Sequence, residues 1–252
     1  NPNLPVSVSI SASATTICAG TNVTFTATPV NGGTTPVYEW YIGAVAQGVN
    51  SNTFSSSALN NGDVVTCVLT SNATCATGSP ATSNAVNMTV NPNLPVSVSI
   101  SASATTICAG TNVTFTATPV NGGTTPVYEW YINGAPQGVN SNTFSSTGLS
   151  NTDVVNCMLT SNATCATGSP ASSNNISMTV NPNLPVSVSI TASASTICAG
   201  TGVTFTANPV NGGTTPVYEW YIGAVAQGVN SSTFSSSALN NGDVVTCVLT
   251  SN

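Results

Sequence analysis

Apart from its tyrosines, the ionisable side chains of this 252-residue chain are six carboxylates and eight cysteines. The carboxylates recur in pairs: Glu39 with Asp63, Glu129 with Asp153, Glu219 with Asp243. Two per repeat could suggest acid–base work or a calcium site. A Ca²⁺ ion wants about six or more oxygen ligands, usually several of them carboxylates. Asp63 instead sits in Asn60-Asn61-Gly62-Asp63, where Asp commonly bonds backbone N–H groups of a turn. Glu39 lies between Tyr38 and Trp40, and alternation turns it away from whatever face they bury. No residue is therefore assigned a catalytic, metal-binding or cofactor-binding role, and the chain reads as a non-enzyme.

What is missing narrows the field further. The chain has no Lys, Arg or His and a net charge of −6. Charged residues are 2% of the sequence, against about 25% in ordinary domains. Without cations it cannot neutralise phosphates, so nucleic acid is excluded as a partner and an anionic membrane surface is unattractive. Without histidine there is no imidazole base for a Ser or Cys nucleophile. Without lysine there is no Schiff base or phosphate-loop lysine. No stretch approaches the ~18 apolar residues of a membrane helix, so no membrane insertion is expected.

The elements that position these residues repeat. Asn1-Pro2-Asn3-Leu4-Pro5-Val6 recurs at Asn91 and Asn181, a period of 90 residues. Residues 1–40 and 91–130 are identical, and fourteen positions differ over the full period. Solenoid units run about 20–50 residues, whereas 90 is the size of a small independent domain. The expected organisation is 1–90, 91–180 and 181–252, the last an incomplete copy without its final strand. The joint at Asn91-Pro92-Asn93-Leu94-Pro95 is short and carries two prolines, which predicts a semi-rigid spacer and an extended rod.

Within a repeat, Val6–Ser11 and Val23–Ala27 alternate apolar and polar residues, as half-buried strands do. Val37–Ile42, Val45–Val49, Thr53–Ser56, Val64–Thr70 and a final strand ending at Val90 follow. Turn residues separate them, including Asn133-Gly134, a strong hairpin signal. No segment has a 3.6-residue apolar period. The pattern predicts an all-β, antiparallel β-sandwich.

The residues then resemble a known family. Gly20-x-x-Val23-Thr24-Phe25-Thr26-Ala27 resembles the second strand of an immunoglobulin-like domain, with Trp40 in the place of its core tryptophan. Gly62-Asp63-Val64-Val65-Thr66-Cys67 resembles its Asp-x-x-x-Tyr-x-Cys strand. Ala27 and Leu69 stand where the usual inter-sheet disulfide would be, and Cys67 replaces the corner tyrosine. Ile17-Cys18-Ala19-Gly20, Asn31-Gly32-Gly33 and Val68-Leu69-Thr70-Ser71-Asn72 resemble tandem Ig-like or PKD-like repeats of large cell-surface adhesin or filament proteins of Bacteroidota, commonly exported by the type IX route. The resemblance implies tandem sandwiches with Trp40, Trp130 and Trp220 in their cores. It also implies an extracellular location and a structural job.

In such a sandwich Cys18 precedes the second strand and Cys67 opens the sixth, at the same end. The first expectation is Cys18–Cys67, repeated as Cys108–Cys157 and Cys198–Cys247. Cys75 and Cys165 are then inter-domain or free. The alternatives are a Cys18–Cys165 link across the joint, or a buried free thiol. Zinc is disfavoured by the lack of His and of Cys-x-x-Cys. The sequons at Asn22, Asn72 and Asn87 follow from an Asn/Ser/Thr-rich composition. Tyr41 is the one outward aromatic that could touch a ligand. The expected partners are neighbouring copies of the repeat, with surface glycans as the rival. The chain starts without Met or a signal peptide and reads as part of something longer. Copy three stops after 72 positions, so a strand from the following residues, or from another molecule, would be needed to finish it.

Overall fold

A computed structural model describes residues 2–252 and is all-β, with no helix among those residues. The chain separates into two compact units, Asn1–Thr179 and Val180–Asn252. The first unit holds copies one and two of the repeat, each with its own core. Buried positions from Val6 to Met88 recur 90 residues later from Val96 to Met178.

Copy one contains β1 (Leu4–Pro5), β2 (Ser7–Ala12), β3 (Thr16–Cys18), β4 (Val23–Val30), β5 (Val37–Ile42), β6 (Val45–Ala46), β7 (Thr53–Ser56), β8 (Val64–Thr70), β9 (Ala76–Thr77), β10 (Ala81–Thr82), β11 (Val86–Asn87) and β12 (Thr89–Asn91). One antiparallel sheet has the order β2-β4-β7. The facing sheet runs β10-β8-β5-β6, with β11 also on β8. These are the A-B-E and G-F-C-C′ layers of an immunoglobulin-like sandwich. The alternation that forms the strands also sets which face is covered: Val23, Phe25 and Ala27 point in from β4, and Val65, Cys67 and Leu69 from β8.

Three aromatic rings fill the middle. Phe25 and Phe54 are directly opposed across β4 and β7, with ring centroids 5.9 Å apart. Trp40 packs on both, at 6.3 Å and 5.8 Å. Its indole N–H donates to the Ser51 carbonyl at 2.8 Å, so the ring is buried without stranding its polar atom. Trp40, Trp130 and Trp220 are all fully buried.

The final strand differs from the single run expected over Val86–Val90. It pairs with β8 through Val86 and Asn87, buries Met88, then leaves for a parallel pairing of β12 with β3. The backbone fixes this crossing. Gly62 N–H donates to the Met88 carbonyl at 2.9 Å, and Met88 N–H to the Asp63 carbonyl at 2.8 Å. The expected Val45–Val49 strand shortens to β6. In copy two the hairpin there turns through Asn133 and Gly134, both at positive φ (51° and 79°).

Candidate functional site

The cysteines carry the most distinctive chemistry. Cys18 bonds Cys165, across 147 residues and from copy one to copy two, with Cα atoms 5.4 Å apart. The pairings Cys18–Cys67, Cys108–Cys157 and Cys198–Cys247 are not formed. Cys67 and Cys157 are buried free thiols, and Cys108, Cys198 and Cys247 are also free. The reason is register. Cys67 does not open β8 but lies at its midpoint, directly opposite Trp40, and points into the core. Burial pushes its thiol up to about 11, and that of Cys157 equally. Burial raises Cys247 as well.

Both bonded cysteines sit in constrained backbone. Cys18 ends β3, which β12 pairs in parallel, and Ala19 N–H donates to the Asn91 carbonyl at 2.9 Å. The Asn93 amide then reaches the Ala19 carbonyl at 3.2 Å. The joint segment is thus tied to the end of copy one. Cys165 adopts a left-handed conformation (φ 64°), and its carbonyl accepts from Leu94 N–H at 2.9 Å. The bond and these hydrogen bonds fasten the same joint.

The carboxylates are spent on backbone. Asp63 Oδ2 accepts from Asn60 N–H at 2.7 Å, and Asp153 and Asp243 do the same for Ser150 and Asn240. Glu39 accepts from Gly48 N–H at 2.9 Å, with Glu129 and Glu219 repeating the contact. Each stabilises a turn. Among the described residues, no three His, Cys, Asp or Glu side chains come together. Tyr41 is half-buried on β5 rather than projecting as a platform.

Asparagine does work that composition did not reveal. Asn84 brackets the outer edge of β2, accepting from Ile10 N–H at 2.8 Å and donating to the Ile10 carbonyl at 3.1 Å. Asn50 accepts from Tyr38 N–H at 2.9 Å. Asn72 accepts from Thr35 N–H at 3.0 Å and donates to Thr35 Oγ1 at 2.7 Å. Gly33 (φ 84°) lies so close beneath it that a Cβ would collide with Asn72. Exposed sheet edges are usually blunted with Lys or Pro. With no lysine available, side-chain amides close part of the edge here. The one sequence signal was the placement of Asn outside turns, at Asn72 and Asn84.

Unit 2 contains an open groove of about 590 Å³, lined by Ile197, Cys198, Phe205, Leu239 and Val245 among others. Ser195, Asn241, Gly242 and Asp243 also line it. Their equivalents Thr15, Asn61, Gly62 and Asp63 bond the Met88–Val90 backbone in copy one. The groove is therefore the seat that the final strand fills in copies one and two.

No protein-family model matches the chain, and no curated protein sequence matches it. Solved structures that resemble it include three N-terminal domains of the bacteriophage RB49 Highly Immunogenic Outer Capsid protein, at 12% identity and TM-score 0.33, covering 97% of this chain and 91% of that one. The N-terminal eight Ig domains of Down Syndrome Cell Adhesion Molecule isoform 1.30.30 resemble it at 17% identity and TM-score 0.32, over 94% of this chain and 35% of that one. Murine CEACAM1b matches at 13% identity and TM-score 0.32, over 69% of this chain and 100% of that one. At these scores the fold assignment rests on the chain's own strand order.

Proposed function

We propose that this chain is a structural repeat segment of an extracellular filament or adhesin stalk on a bacterial surface. The observation that carries the reading is the Cys18–Cys165 bond, which joins one copy of the repeat to the next. A covalent clasp between neighbours suits a part whose work is to hold length and direction. Disulfides persist outside the reducing cytosol, which supports an exported location. Near-identity of the copies supports a spacer, because duplication supplies length without specialising any one domain. Each carboxylate is engaged by a backbone N–H in every copy, so the reading is non-enzymatic, with neighbouring copies of the repeat as the partners. Electron micrographs of the native material, labelled with antibody to this chain, test it. Thin labelled projections at the cell surface are expected; label confined to a reducing cytosol, with Cys18 and Cys165 as thiols, overturns it.

The second reading is a donor-strand fibre, in which the groove of unit 2 takes a strand from another molecule and not from residues that follow in the same chain. Mixing the purified chain under reducing conditions separates the two. Non-covalent polymers that dissolve when a peptide of the Ala73–Val90 sequence is added belong to the second reading.

A further inference from the structure

One short stretch of backbone, Asn91-Pro92-Asn93-Leu94-Pro95, reaches the surroundings of both bonded cysteines. Asn91 and Leu94 each precede a proline, which biases them toward the extended backbone that strand pairing needs. Asn91 pairs in parallel with Cys18 itself, where β12 and β3 end. The residue after Cys18 is then held at both its polar groups. Ala19 N–H donates to the Asn91 carbonyl at 2.9 Å, and the Asn93 side-chain amide donates to the Ala19 carbonyl at 3.2 Å. On the other side, Leu94 N–H donates to the Cys165 carbonyl at 2.9 Å, and Leu94–Pro95 pairs in parallel with Ala166–Thr167. Copy one shows that this second half needs no disulfide. Cys75 is a free thiol, yet it has the φ of 64° found at Cys165, and its carbonyl accepts from Leu4 N–H at 3.0 Å. Leu4–Pro5 pairs with Ala76–Thr77 in the equivalent register. The backbone at Cys165 therefore takes its shape from Leu94 and Pro95, not from the sulfur bond.

We propose that residues 91–95 are a splint that brings the Cys18 and Cys165 thiols within reach before they bond, with Asn93 as its positioning residue. The splint fixes one partner through Asn91 and Asn93 and the other through Leu94, so the reduced joint already has the geometry of the oxidised one. Its prolines keep it from going slack. Fixing both partners beforehand removes most of the entropy that closing so long a loop would otherwise cost. The bond itself needs a disulfide oxidant such as glutathione disulfide. One of the two thiolates attacks a sulfur of the oxidant and releases a glutathione thiolate. The other thiolate attacks the mixed disulfide and releases the second. Two thiols become one disulfide, and the oxidant becomes two thiols that take up the two protons. The inference goes beyond the stalk reading, because the joint would behave in this way whatever the chain does, and the micrographs above do not depend on it.

The experiment equilibrates the full chain with mixtures of reduced and oxidised glutathione. Free thiols are trapped by alkylation, and a peptic digest is weighed to count the linked Cys18–Cys165 peptide. The resulting equilibrium constant is the effective concentration of one thiol at the other. A short flexible tether gives a value in the millimolar range, and the natural chain is expected to exceed that by more than about tenfold. Inserting Gly-Ser-Gly-Ser between Pro92 and Asn93 leaves each copy its own strand pairings but slackens the splint. That variant is expected to fall to roughly millimolar. Asn93→Ala, which deletes the contact to Ala19, is expected to lower the value by about threefold to tenfold. In reducing buffer the tryptophan fluorescence and urea midpoints of both variants should match those of the natural chain, which separates positioning from a loss of fold. A natural chain already at the millimolar level, or an insertion variant that keeps the natural value, overturns the splint. An unchanged value in Asn93→Ala overturns the role of that residue.

Discussion

Copy one and the third copy hold the same aromatic trio in the same arrangement. Phe25–Trp40 and Phe205–Trp220 centroids lie 6.3 and 6.4 Å apart, and Trp220 is as fully buried as Trp40. Around that centre they diverge. Val65, Cys67 and Leu69 are buried in β8, while Val245, Cys247 and Leu249 are only half-buried. Ile17 and Leu59 are buried, while Ile197 and Leu239 line an open groove. Leu4 is half-buried beneath its pairing with Ala76, whereas Leu184 is 65% exposed. The trio is assembled by residues 25–54 of a repeat and needs nothing from residues 73–91. The rim is the part that those residues cover. The domain thus has an autonomous centre and a dependent margin.

The hardest blow to both regions alike is removal of the indole. Trp40→Ala and Trp220→Ala should each cost about 3–5 kcal/mol in their own domain, read by hydrogen exchange of the surrounding strands. A much smaller loss in copy three would show that its centre is not autonomous. Reducing Cys18–Cys165 comes next. Its loop is long, so about 2–5 kcal/mol should be lost from copies one and two. Unfolding followed by urea with segment-resolved exchange should leave Val180–Asn252 unchanged.

Filling the groove sharpens the contrast from the other side. A peptide of the sequence Ala73–Val90, at one hundred times its dissociation constant, should stabilise Val180–Asn252 by about 2.7 kcal/mol. Copies one and two, whose seats are occupied, should not respond.

A smaller difference concerns alkali. The Cys67 and Cys157 thiols keep their protons to about pH 11 in the folded state, against 9.0 ordinarily. Between those values the unfolded chain has released protons that the folded chain still holds. Stability is therefore full below about pH 9 and falls as pH rises toward 11, by about 2–3 kcal/mol per buried thiol. Burial pushes Tyr38 and Tyr128 in the same direction. Cys247 is only half-buried, so urea midpoints at pH 8 and pH 10 should move less for Val180–Asn252.

The two sheets were legible because their chemistry is local: alternation at Val23–Ala27 and Val64–Thr70 states which face is covered. The inward direction of Cys67 was legible too, since it alternates with Val65 and Leu69, and placing it at the strand's start concealed that. The crossing at Met88 was not readable. Val86, Met88 and Val90 alternate as one strand would, and the backbone of Thr15, Gly62 and Asp63, with the side chain of Asn61, pulls the chain aside. The Cys18–Cys165 pairing depends on how two domains meet, which no pattern inside one repeat encodes. The amide clasps of Asn84 and Asn72 were hidden because an asparagine's partners lie 74 and 37 residues away.

The Cys18–Cys165 bond also sets how the polypeptide yields under tension. A pull applied at the two ends travels through residues 1–18, crosses the bond, and continues from residue 165. The stretch between them hangs outside the line of force even when its domains unfold. At about 3.4 Å per extended residue, the sequence separation of 147 represents roughly 500 Å of slack that cannot be drawn out while the bond holds. Single-molecule pulling in reducing and oxidising buffer should differ in final contour length by that amount. Redox state then acts as a length stop, leaving a tether that is short and stiff when oxidised and long and extensible when reduced.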